Sequence, residues 1–104
     1  MSMSRLERLR KLAATQPNDP FVHYGVGLEC VAQEQWDEAL AAFERTLAID
    51  GAYSAAHMQK ARVEVKLGQR DAARATLVAG IAAAQAAGES HAAGEMGKIL
   101  ETLG

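Results

Sequence analysis

Residues 36–50 read WDEALAAFERTLAID, and 34 residues further on, at 70–84, the chain reads RDAARATLVAGIAAA. Asp37 returns as Asp71, Ala39 as Ala73, Phe43 as Leu77 and Leu47 as Ile81. In the first stretch Trp36, Leu40, Phe43 and Leu47 fall at helical spacing and share one face, while Glu38, Glu44 and Arg45 point elsewhere. In the second the stripe is Ala73, Leu77, Ile81 and Ala84. A helical pattern recurring at a fixed period of this length marks a stack of similar units. One helix pair cannot bury its own apolar face, and a second pair laid against it can.

Working outward, each copy is preceded by another helix. FVHYGVGLECVA, within a helix expected over about 20–33, is apolar nearly all round. Phe21, Tyr24, Leu28 and Val31 form one stripe, and Val22, Val26 and Cys30 form another. Such a helix must be covered on both sides or leave one side to a partner. The second copy is preceded by a helix over about 54–67, ended by Gly68. In front lies a helix from Met3 or Ser4 to Thr15 with Leu6, Leu9, Leu12 and Ala13 on one side, stopped by QPNDP. Asp19 or Asn18 can cap the next helix, with Pro20 in its first turn. The fifth helix is expected over about 71–86 with Asp71 as N-cap. The sixth begins at an N-cap Ser90 and carries Ala92, Ala93, Met96, Ile99, Leu100 and Leu103 on one side. Links this short make neighbouring helices antiparallel. The fold class expected is all-α, six antiparallel helices in one domain.

The 34-residue period and its small residues resemble the tetratricopeptide repeat family. Where paired helices of that family cross, small residues sit, and here Gly27 faces Ala39 and Ala61 faces Ala73. Trp36 and Phe43 match its large positions, and Pro17 its terminal proline. The resemblance implies a right-handed helical-hairpin solenoid: a half repeat at 4–19, repeats at 20–53 and 54–87, and a capping helix at 90–103. Several positions depart from the pattern. Glu34 stands where a turn glycine is usual, at a cost of about 1–2 kcal/mol if it must be left-handed. Gly51 replaces a proline, and Arg70 an aromatic. Lys60 and Glu64 occupy positions usually apolar. Four residues apart, they can pair along the helix. Their stems are expected to pack and their heads to reach solvent, the alternative being a polar patch for a partner.

Composition bounds the function. Hydrophobic residues are 49% but aromatics only 5%, so alanine supplies much of the apolar content. The formal net charge is −2 and the cations form no stripe, so nucleic acid is not an expected partner. Arg5, Arg8, Arg10 and Lys11 share the first helix with Glu7 and an apolar stripe, as an ordinary surface helix does. No apolar run nears the roughly 20 residues of a membrane span. A single cysteine permits no internal disulfide and suits a reducing, cytoplasmic setting.

Chemistry-bearing residues do not converge. His23 and His57 are one period apart, one structural position used twice, which favours packing. His91 lies near a helix start and is expected to be exposed. No H-x-x-x-H or C-x-x-C spacing occurs, so neither a metal nor a cofactor is expected. Cys30 on an apolar helix reads as a buried, inert thiol. With no assembled acid–base pair or phosphate loop, no enzyme is expected. The resemblance implies instead that the first helices of successive repeats line a concave groove for a peptide or helix of another protein. The lining would be Phe21, Tyr24, Leu28 and Val31, joined by Met58, Gln59, Arg62, Val65 and Lys66. The alternative is self-association, a second copy of the chain covering that groove.

Overall fold

The computed structural model describes residues 3–104. It contains six helices: α1 (Arg5–Thr15), α2 (Pro20–Ala32), α3 (Trp36–Ile49), α4 (Ser54–Lys66), α5 (Arg70–Ala86) and α6 (Ser90–Thr102). Among the described residues there is no strand.

Helix starts follow local chemistry at two ends only. The Ser4 hydroxyl accepts from the Glu7 amide at 3.1 Å while the Glu7 carboxylate accepts from the Ser4 amide, a capping box. Asp19 accepts from the Phe21 amide at 3.0 Å, with Pro20 opening α2. The expected caps of α5 and α6 are corrected. Gln69 and Glu89 hold those positions without a side-chain hydrogen bond. Asp71 lies one residue inside α5, paired with Arg74 at 2.8 Å, and Ser90 is already helical. Docking against neighbouring helices replaces capping there, since packing supplies most of a helix's stability in a folded protein.

Helix ends repeat one device. Beyond α2, α4 and α5 the chain turns through a residue of positive φ: Glu34 at 58°, Gly68 at 77° and Gly88 at 74°. The next amide then reaches back five residues, Gln35 to the Cys30 carbonyl, Gln69 to Glu64 and Glu89 to Ala84, each at 2.8 Å. This satisfies carbonyls that the helix leaves free. Glu34 therefore does adopt the left-handed turn in place of glycine.

Two cores run along the stack. Leu6, Val26, Cys30, Ala39, Ala42, Phe43 and Val63 form the first. Ala61, Ala73, Leu77, Ala84, Met96 and Leu103 form the second. Helix α4 joins them, Val63 entering one core and Ala61 the other. Val22, Val26 and Cys30 are the buried stripe of α2, as the sequence suggests. Gly27 is required by the crossing: a Cβ there would overlap the Phe43 ring, so the close contact is with Phe43 itself.

Polar groups within the stack are matched in kind. His23 and His57 each place Nε2 against a carbonyl six residues upstream, Pro17 at 2.8 Å and Gly51 at 2.9 Å. The recurring histidine is thus a strut from helix to preceding loop. Lys60 and Glu64 overturn the expected solvated heads. Glu64 is buried, accepting from the Thr76 hydroxyl at 2.7 Å and from Lys60 Nζ at 3.1 Å. Lys60 also donates to Thr76 at 3.1 Å. The three form a closed polar cluster between α4 and α5 and offer no surface patch.

Candidate functional site

Helices α2, α4 and α6 touch in succession and form one side of the stack, backed by α3 and α5. On α2 the burial of Val22, Val26 and Cys30 turns Phe21 and Leu28 outward, Phe21 to 71% exposure. Tyr24 leans toward α4, its ring 5.0 Å from that of Tyr53 and 5.8 Å from that of Phe43. Burial pushes the Tyr24 phenol above its usual range, while the neighbouring Gln59 amide and the charge of Arg62 pull the other way. Gln59 and Arg62 thus lie near the Tyr24 hydroxyl, and the three span the α2–α4 junction.

Beside them Val31, Trp36, Gln59, Arg62, Val63 and Lys66 line a hollow of about 210 Å³. Lys66 Nζ stands 5.9 Å from the Trp36 ring centroid, within cation–π range. The hollow is apolar at its base and basic along its α4 edge.

The nine residues expected to line one groove are therefore spread over three strips. Tyr24, Val31, Gln59, Arg62 and Lys66 come together at the α2–α4 junction. Phe21 and Leu28 face α1 instead, lining a second groove with Leu9 and Leu12 that Tyr24 also borders. Met58 is half-buried against the second core, and Val65 lies exposed on the same helix. The spacing of Trp36 reads as packing alone. Its place as the first residue of α3 is the signal in the sequence that leaves a surface role open to it.

Elsewhere among the described residues the reactive side chains stand apart. Burial pushes the Cys30 thiol up to about 11, with the nearby Glu38 carboxylate adding to the effect, so it stays protonated at neutral pH. His91 is exposed, 4.0 Å from Glu95. Among the described residues no three metal-ligating side chains cluster, and no helix is long and apolar enough to cross a membrane.

Helix pairs stacked with small residues at their crossings define an α-helical solenoid. A model of the tetratricopeptide repeat family matches residues 31–95, and the chain belongs to that family, a right-handed solenoid of helical hairpins. Among solved structures, the chain is similar to a Bordetella parapertussis protein studied in solution, at 27% identity and TM-score 0.83, over 98% of this chain and 89% of that one. It shares its fold with PcrH, solved in complex with the chaperone-binding region of PopD, at 19% identity and TM-score 0.89, over 94% and 74% of the two chains. It likewise shares its fold with the TPR2B domain of yeast Sti1, solved as a complex with pHsp70, at 15% identity and TM-score 0.88, over 94% and 78%. No curated protein matches the sequence significantly.

Proposed function

We propose that this protein is a non-catalytic interaction module that holds a short segment of another protein along the α2–α4 side of the stack. The observation that carries the reading is the junction of Tyr24, Val31, Gln59, Arg62 and Lys66, an apolar floor with a basic edge built on rigid helices. Phe21 and Leu28 extend that floor toward α1, and Met58 and Val65 toward α6. An amphipathic or extended segment with apolar and acidic side chains fits it. Two proteins of this fold are known with a segment or partner bound, PcrH with a region of PopD and the Sti1 domain with pHsp70, which supports the class of function. The repeat boundaries proposed with it are 20–53 and 54–87, between a half repeat at 4–19 and a capping helix at 90–103.

Affinity is expected to be modest, about micromolar, because the face is short. Raising salt weakens binding only in part, since Arg62 and Lys66 steer while the apolar contacts hold. Trp36 is the only tryptophan and borders the hollow, so its emission reports occupancy directly. Peptides selected on this protein from a random display library should shift that emission. They should lose about tenfold or more in affinity on Tyr24→Ala or Arg62→Glu, with helicity unchanged. Selected peptides indifferent to both substitutions would place binding elsewhere.

A further inference from the structure

We propose that copies of this chain stack end to end, α6 of one copy filling the groove between α1 and α2 of the next. Helix α1 keeps the register of α3 and α5: Leu9, Phe43 and Leu77 stand at successive 34-residue steps. Helices α3 and α5 each lie against the helix that precedes them, α2 and α4. No described helix takes that place beside α1. What remains there is an apolar groove of about 280 Å³, its walls including Leu9, Leu12, Phe21 and Leu28.

The other end is its converse. Helix α6 packs on α5 as α4 packs on α3, but no described helix follows it as α5 follows α4. Its open side, with Ile81 and Gln85 of α5, borders a groove of about 500 Å³ floored by Ala93, Gly94 and Gly97. A Cβ at Gly94 or Gly97 would meet nothing within 4 Å, whereas Gly27 is filled by Phe43. Among the described residues no helix leads α1 and none follows α6, and each end presents the kind of helix the other can take up.

Size and charge choose a second copy as the occupant. Arg5 stands on α1 where Ala39 and Ala73 stand on α3 and α5, and Glu95 stands on α6 where Gly27 and Ala61 stand on α2 and α4, so this crossing sets a cation against a carboxylate, with the small Ala93, Gly94 and Gly97 leaving room around it. Helix α1 carries four cations against Glu7, and the α6 end carries Glu89, Glu95 and Glu101 against Lys98. Among the described residues Arg8, Lys11 and Glu101 make no ion pair, so opposite charges are available at the two ends. The contact is heterologous, so it leaves an open end at each step and builds a row instead of a closed pair. It covers Phe21, Leu28 and one side of Tyr24, leaves Val31, Gln59, Arg62 and Lys66 uncovered, and does not depend on those residues binding anything.

Sedimentation of the chain from about micromolar to about millimolar concentration tests this. The average mass should climb past twice 11.1 kDa without a plateau. Leu12→Glu spoils only the α1 end and Gly97→Glu only the α6 end. Each variant alone should stay monomeric with unchanged helicity, and an equimolar mixture should form a one-to-one pair, because one intact junction survives between them. A parent that is monomeric throughout, single variants that associate like the parent, or a mixture that remains monomeric would each overturn the proposal. A plateau at the dimer would do so as well, by pointing to a symmetric contact.

Discussion

Single residues set the stability of this stack at three places where one atom group has no substitute. Glu34 occupies a left-handed turn that costs an L-residue about 1–2 kcal/mol, against the larger chain entropy that glycine loses, about 0.5–1 kcal/mol. Glu34→Gly should therefore stabilise the protein by about 0.5–1 kcal/mol, read as a higher urea midpoint at unchanged slope. Gly27 is the reverse case. Its missing side chain makes room for the Phe43 ring, so Gly27→Leu should cost at least the roughly 1–3 kcal/mol of overpacking, seen as a lower melting temperature. A variant as stable as the parent would mean the helix crossing is misplaced. Glu64 is buried with Lys60 and Thr76, and Glu64→Ala would leave the lysine charge without its partner. Because the Lys60 side chain keeps 18% exposure and can turn outward, the loss should fall near the low end for buried pairs, about 3 kcal/mol. Adding Lys60→Met to Glu64→Leu should restore most of it, as chemical denaturation of the pair of variants can check.

At the level of elements, the apolar period gave the number and type of helices directly, because Phe43 and Leu77 recur on faces that must be covered. Starts were less legible. Asp71 and Ser90 look like caps, yet α5 and α6 are placed by their packing. The Lys60–Glu64 pair reads as solvated in the sequence for a related reason: Thr76, which completes the cluster from the next helix, is twelve residues from Glu64 and gives no periodic signal. The α2 lining of the candidate site was legible as a stripe. Its division between α1 and α4 was not, because a stripe on one helix does not say which neighbour meets each edge. Helix α1 is tied to α3 by Arg10 donating to Glu38 at 2.7 Å. That hydrogen bond holds the Glu38 carboxyl below its usual range. A carboxyl lowered in the folded state stabilises it above the unfolded pKa, and the contribution is lost as pH falls through the folded value. Acidification below about 4 should therefore loosen α1 before the core opens, visible as faster amide exchange confined to residues 5–15. Glu38→Gln should remove that acid step.

For the whole molecule, two small cores strung along six helices produce an elongated body of 47 × 28 × 19 Å, long enough to present a continuous side of α2, α4 and α6. The fold commits His23, His57, Cys30 and the Lys60–Glu64–Thr76 cluster to structural roles, and His91 stays exposed. The distinctive surface that remains is apolar and basic, and the function proposed for the protein rests there. Backbone amide and Trp36 indole shifts, recorded while a selected peptide is titrated in, test that most directly. Binding at the proposed face predicts that the largest changes fall on Tyr24, Val31, Gln59, Arg62 and Lys66 and on the indole of Trp36. Changes confined to the opposite, α3 side, at Ala41, Glu44, Arg45 and Ala48, would contradict it.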